Sequence, residues 1–350
     1  MSNIYCFWKG GTPPAPWQLK SDFNGRYPKC GGSYSTHGVT GGATQHTHTY
    51  SNVSVSNSTP STTVGEGSDA LYIAVHTHTL SLTVSSSNND PSYYSYELIY
   101  MDLVSWENKE RRFPQGAVVL SDTAVSWSLL TRESAADNRL IKLDTACNTG
   151  GRDNHEHSCT GTLQTINPSI SGFTHPYAPY WNPRNASHSH TVSVTTPSKS
   201  IKPARVRTRI YSVNTLTDKA VAGIICFVDG PTSANWTPLS WDGYYIEGAN
   251  ENANFVGINN HDHLNLSATS SDYTVSTGYY GDAGTTSCAS THRHTVSFNL
   301  NNSNHEPLYV KLYPVKLNTT LWHINVQNKT YDMRMIVKKS TNANTHHPLE

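Results

Sequence analysis

The sequence predicts a mainly β protein built of three tandem β-rich units of about 105–110 residues, which a pseudo-threefold axis can relate. Three observations carry that prediction. First, twelve of the eighteen histidines form six His-x-His pairs on a lattice. The pairs His46/His48, His155/His157 and His261/His263 start 109 and 106 residues apart, and His76/His78, His188/His190 and His292/His294 start 112 and 104 apart. Second, Trp17, Trp127 and Trp236 recur at intervals of 110 and 109 residues. Third, the last histidine of each second pair lies 13 residues before a proline: His78 before Pro91, His190 before Pro203, His294 before Pro307. A fixed period of this kind marks repeated supersecondary units.

Taken in order, each unit opens on an apolar strand that runs through a turn to its Trp: NIYCFWKGGTPPAPWQL, GAVVLSDTAVSWSLL and GIICFVDGPTSANWTPL. A short acidic or amide turn follows, then a strand: FNGRYPK, ADNRLIK and WDGYYIE. Asn24, Asp137 and Asp242 align there, as do Gly25, Asn138 and Gly243, and these residue types suit tight turns that need positive φ. A Gly-bearing segment then leads into the first His pair: GGATQHTH, GGRDNHEH and GINNHDH. A variable segment of about thirty residues separates the two pairs. After the second pair come HTLSLTV, HTVSVTT and HTVSFNL, whose period of two predicts half-buried strands. Each proline then opens a further β-rich run, and each unit is expected to consist of short antiparallel strands and long loops. The predicted units are 1–110, 111–217 and 218–330, with a C-terminal tail at 331–350; apolar residues after about 320 can add a strand. The one helical candidate, residues 128–143, aligns with a turn and strand in the other units.

Composition narrows the function classes. Formal net charge is zero and only 14% of residues are charged, so there is no electrostatic reason to bind nucleic acid or an anionic membrane. Hydrophobic content is 36%, against about 45–50% in ordinary globular domains, and Ser, Thr, Asn, Gly and Tyr make up the difference. That mix favours strands and turns and suits extracellular and fibrous proteins. No apolar run approaches the ~18 residues of a membrane span. The first residues lack the basic region and apolar run of a Sec signal peptide. The six cysteines fall two to each third, open to disulfides within each third or to free buried thiols.

The order apolar strand, Trp, Asn/Asp-Gly turn, Gly-Gly, His-Thr-His-Thr, second His pair and Pro-led strand resembles the tail-collar domain of phage short tail fibres. It also resembles the microcystin-dependent-protein-like group. Residues 17–50 carry the clearest match; 127–160 and 236–266 match more loosely, with Gly257 alone in place of Gly-Gly and Tyr244 in place of the turn Arg. The resemblance implies collar-like units, an extracellular or virion location, and self-association or assembly with other fibre or virion proteins. It also implies His-x-His pairs from three chains gathered around metal ions, usually iron. This chain departs from that pattern by carrying three units in tandem, so that one molecule can supply what three chains supply elsewhere.

The chemistry of the pairs points the same way. Residues i and i+2 of a strand face one side, roughly 6.5–7 Å apart, so two imidazoles can converge on one ion. Three such strands give an octahedral set for Fe, Ni or Co. The expected sets are His46, His48, His155, His157, His261 and His263, and His76, His78, His188, His190, His292 and His294. Six neutral ligands leave no open position, so the expected role is structural. Two other arrangements remain open: hydrogen-bonded stacks without metal, or a four-His zinc- or copper-like site inside each unit. Glu156 and Asp262 face away from the pairs, and no GxSxG, P-loop or HExxH motif occurs, which argues against an enzyme. Aromatic loops carrying Phe173, Tyr177, Tyr180 and Trp181, and Tyr273, Tyr279 and Tyr280, are the expected contacts to a host-surface glycan or protein. The tryptophans are expected in the core. Arg205, Arg207 and Arg209, alternating along one strand, are expected on a solvated edge. The expected function is a non-enzymatic structural protein of a fibre or virion appendage. A repeating subunit of a cellular extracellular filament is the alternative, and a His-x-His metal enzyme is a third.

Overall fold

The computed structural model describes residues 2–56, 77–166, 188–216, 218–281 and 284–323, and only the backbone of residues 77, 165–166, 273–281 and 284–292. It is mainly β, and its largest sheet closes on itself as a barrel. No helix among the described residues is long and apolar enough to cross a membrane.

Three opening strands lie at the centre: Asn3–Trp8, Ala117–Ser121 and Ile224–Val228. Their apolar runs show no alternation because both faces are buried. Each pairs antiparallel with the closing strand of its own third, Tyr93–Asp102, Arg205–Val213 and Tyr309–Leu317 respectively. The three opening strands also pair with one another. Each closing strand starts two residues after its proline, where the fixed φ and missing N–H of proline suit a strand entry.

The middle strands make the connections between thirds. Tyr27–Cys30 runs parallel to Tyr309–Leu317, Leu140–Leu143 to Tyr93–Asp102, and Tyr245–Gly248 to Arg205–Val213. The sequence predicts short antiparallel strands, and these parallel pairs are the difference. Parallel pairing needs a long crossover. Here the rest of the chain supplies it, and nothing in local periodicity records that. The thirds are therefore not separate beads, because each lends strands to another.

Trp17 and Trp236 are buried in one of the two main apolar clusters, and Trp127 packs against it half-buried. A fourth tryptophan, not singled out from sequence, sits at its centre. Trp106 is fully buried, 5.4 Å from the rings of both Phe113 and Trp236. It lies on a short helix, Leu103–Ser105 continuing as Trp106–Glu110, which Asp102 caps by accepting from the Ser105 N–H. Glu107 on the same helix accepts from the Trp236 indole at 2.9 Å, tying the first third to the last. At 128–143 the structure has strand Leu130–Arg132, a single 3-10 turn and strand Leu140–Leu143, not a helix. Leu321–Trp322 pairs with Lys219–Ala220, and residues 324–350 lie outside the described residues.

Arg205 and Arg207 depart from the solvated-edge expectation. Both bind Glu247, which is 1% exposed, so burial of that carboxylate draws the guanidiniums in. Cys6, Cys30, Cys147, Cys159 and Cys226 are free thiols.

Three glycines explain how the chain turns toward the first His pairs. Gly42, Gly151 and Gly257 have φ of 79°, 69° and 84°, and an added Cβ would lie 2.0, 2.1 and 2.6 Å from the carbonyl oxygens of Pro307, Pro91 and Pro203. Positive φ and backbone approach both demand glycine there. Gly42→Ala is expected to cost about 2 kcal/mol or more, read as a lower denaturant midpoint at unchanged slope.

Beyond the barrel a smaller module projects. Strands Tyr50–Val55, Ser158–Ile166 and Asn260–Thr269 lead away from the first His pairs; Thr77–Val84, Ser189–Thr195 and Thr295–Asn304 return. Ser158–Ile166 pairs with both Thr77–Val84 and Ser189–Thr195, while Thr295–Asn304 pairs with Asn260–Thr269 and Tyr50–Val55. Their inward side chains, among them Leu163, Val192, Leu266 and Phe298, form a small apolar core of their own. The hairpin Tyr273–Gly281/Gly284–His292 extends the third pair of strands further.

Candidate metal centre

The first His pair of each third lies where the barrel meets the smaller module. His46 and His155 sit on two-residue pairings with the strands just before Pro91 and Pro203, and His261 near the start of the long pairing of Asn260–Thr269 with Thr295–Asn304. His46 and His155 end their strands with His48 and His157 just beyond, His261 and His263 share one strand, and all six rings are buried, none more than 8% exposed. Glu156 and Asp262, between them in sequence, are not buried.

The six imidazoles form an octahedron. Each ring neighbours four of the other five, at centroid distances of 4.5 to 5.6 Å. The three remaining pairs, His46/His263, His48/His155 and His157/His261, stand across the centre. Nε2 of His46 lies 3.1 Å from that of His155, 3.4 Å from His261 and 3.3 Å from His157. Nε2 of His155 lies 3.0 Å from that of His157 and 2.8 Å from His261. Adjacent ligands of an octahedral ion with metal–nitrogen bonds of ~2.1 Å would be ~3.0 Å apart. One nitrogen from each of His46, His48, His155, His157 and His261 lies within 4.8 Å of all the others; His263 falls outside that tighter set.

The outer nitrogens decide what the inner ones carry. His48 Nδ1–H donates to the Asn301 carbonyl at 2.6 Å, His155 to Lys199 at 3.0 Å and His157 to Ser85 at 2.7 Å. A carbonyl only accepts, so the proton sits on Nδ1 and the Nε2 lone pair points inward. His46 Nδ1 donates to Asn89 Oδ1, and the Asn89 amide is oriented by donating its own N–H to the Ala43 carbonyl at 3.2 Å. His261 Nδ1 meets His305 Nδ1 at 2.9 Å. Lone pairs facing one another at these distances repel unless a cation lies between them. His48 Nε2 and His263 Nε2 are buried with no hydrogen-bond partner, as expected of nitrogens reserved for an ion. The donor set and its outer hydrogen bonds therefore fit a metal, and this buried cluster can hold one.

Burial holds the imidazoles neutral, and repulsion among the rings reinforces it at all of them but His157. It lowers His46 to about 4, His155 to about 3, His261 to about 2 and His263 to about 4, and lowers His48 and His157 from the ordinary value of 6.5. Neutral imidazole is the metal-binding form.

No family model, curated protein or solved structure matches this chain.

The second level brings together His78, His188, His190 and His294, each with one nitrogen within 4.8 Å of the others. Ring centroids are 4.3 Å apart for His78/His294 and 4.9 Å for His190/His294. His190 Nδ1 donates to the Ser271 carbonyl and His294 Nδ1 to Ser56, both at 2.8 Å, which repeats the tautomer of the first level. His76 and the His292 side chain lie outside the described residues. So do Phe173, Tyr177, Tyr180 and Trp181 and the side chains of Tyr273, Tyr279 and Tyr280. The four-His site within each third does not form among the described residues, because first pairs meet first pairs and second pairs meet second pairs. Thr165, eight residues beyond His157, faces His78, which separates the two levels by roughly 25 Å. The small apolar core fills the space between.

Sequence reading missed His305 and Asn89. Both lie two residues before a closing proline, Pro307 and Pro91, and a third position, Ile201, completes the alignment. That alignment was available, but a polar side chain at two positions of three does not by itself announce an outer hydrogen bond.

Proposed function

We propose that this chain is a non-enzymatic structural protein of an extracellular fibre or virion appendage. In this reading it is three collar-like units, closed around a pseudo-threefold axis within one molecule and held by His-pair metal staples. The observation that carries it is the first octahedron, drawn equally from the three thirds. Six imidazoles around an ion leave no position for water or substrate, so the ion braces and does not catalyse. The six-nitrogen donor set suits iron, with nickel as a second choice; zinc prefers four ligands and fits the first level poorly. Each level would sit at one end of a small apolar core that is too slight to hold three pairs of strands by itself. The aromatic segments 171–185 and 273–281 are where contact with a host-surface glycan or protein is to be sought.

Elemental analysis of purified protein tests the staples, with iron at one to two ions per chain as the expected result. Protein free of any transition metal, and no less stable after chelation, would remove them. Electron microscopy of the native source tests the assembly. Endless helical filaments without virions would replace the appendage with a cellular filament.

A further inference from the structure

Each middle strand carries a charged residue, buried at Lys29 and Glu247 and half-buried at Lys142, that meets the residue just before a closing proline in another third. Lys29 pairs with Glu306, and Lys142 with Asp90 at 2.9 Å. At the third junction the signs are inverted. Glu247 aligns with Lys29 and Lys142, and Lys202 aligns with Glu306 and Asp90; these two lie 3.6 Å apart. The surroundings are adapted to each sign. Lys29 lies over the Tyr309 ring at 4.6 Å and Lys142 over Tyr93 at 4.3 Å. In the third junction Arg205 replaces those tyrosines in register and joins Arg207 on Glu247.

We propose that this inverted ion pair is a specificity key that makes the chain close on itself instead of intertwining with other copies of the same chain. It rests on the ring arrangement of the three units but not on the metal or the fibre role. Glu247 has one acceptable partner, the closing strand that carries Lys202, Arg205 and Arg207. Against Asp90 or Glu306 it would bury like charges, and Lys29 or Lys142 would do the same against Lys202. An intertwined trimer would pair like units with like. Its second units would set Lys142 against Lys202 and its third units Glu247 against Glu306; only the first units, Lys29 with Asp90, would match. The reverse order around the ring fails likewise, at Lys29 with Lys202 and at Glu247 with Asp90. Three junctions of equal sign would enforce no such choice.

The test exchanges charges while keeping every native junction paired. The fourfold variant Lys29→Glu, Glu306→Lys, Lys142→Glu, Asp90→Lys gives all three junctions one polarity and makes every like-with-like ring attractive. Native and variant chains are refolded at increasing concentration and weighed by light scattering. The native chain should remain at the 38.6 kDa of one copy. The variant should yield at least severalfold more trimer. If the fourfold variant does not fold, the third junction is converted to the polarity of the other two instead, by Glu247→Lys, Lys202→Glu, Arg205→Tyr and Arg207→Ser. That variant also makes every like-with-like ring attractive, at Lys29 with Asp90, at Lys142 with the new Glu at 202 and at the new Lys at 247 with Glu306. It too should raise the oligomer fraction. Unchanged monomer in the folded variants would overturn the key, as would a native protein that is itself a trimer. A native trimer with its metal still bound would sink this inference and leave the fibre reading standing.

Discussion

Replacing His46 and His48 together by Ala empties the first centre and lowers the melting temperature by about 10 °C, the expected result if the octahedron binds metal. The size follows from two contributions. A structural ion bound by preoriented imidazoles contributes on the order of 5–10 kcal/mol of folding free energy, because the unfolded chain has no such site. A chain of this length also dilutes each kcal/mol into a shift of only ~1–2 °C. Metal content should fall by one ion per chain while the second level keeps its own. Adding a chelator to the wild-type chain should lower its melting point further than the same treatment lowers that of the double mutant. Equal melting curves for wild type and mutant, both metal-free, would leave the rings as a hydrogen-bonded stack.

Acid should weaken the protein well before its carboxylates titrate. The folded-state values of about 4 for His46 and His263 and about 3 for His155 lie below the ordinary 6.5. Below pH ~6.5 the unfolded chain therefore takes up protons that the folded chain refuses, and folding stability falls as pH falls. Each such group contributes a slope of up to about 1.4 kcal/mol per pH unit between ~6.5 and its folded value. Denaturant midpoints measured from pH 7.5 to 4.5 should drop steeply below ~6.5, and any metal held by the cluster should be released over the same interval. Above pH 7 the midpoint should be flat as far as these groups are concerned. A midpoint level down to pH 4.5 would mean that the rings do not carry this linkage.

The periodic part of this molecule was readable residue by residue. The His lattice, the Trp interval and the step to proline placed the strands, because period-two alternation and turn chemistry are local properties. What periodicity could not tell was which third a strand would join. Tyr27–Cys30 has the same local pattern whether it pairs within its own third or along Tyr309–Leu317. The centre was legible in its ligands and illegible in its support. The pairs announce themselves as His-x-His, but their outer nitrogens bind the backbone carbonyls of Asn301, Lys199 and Ser85, and a carbonyl has no letter in the sequence. Arg205 and Arg207 mislead for a related reason. Alternation along a strand looks like a wet edge until Glu247, forty residues away in sequence, is known to lie beneath them.

The pairing of Lys29 with Lys311 in register joins residues 282 positions apart. At roughly 5–20 residues per second of synthesis, the first middle strand waits some 14–56 s on the ribosome before its neighbour exists. Until then an apolar strand edge is open, and nothing made earlier can cover it. The molecule's most vulnerable moment is therefore its birth, and its yield in cells should depend on chaperone supply and temperature more sharply than its finished stability would suggest.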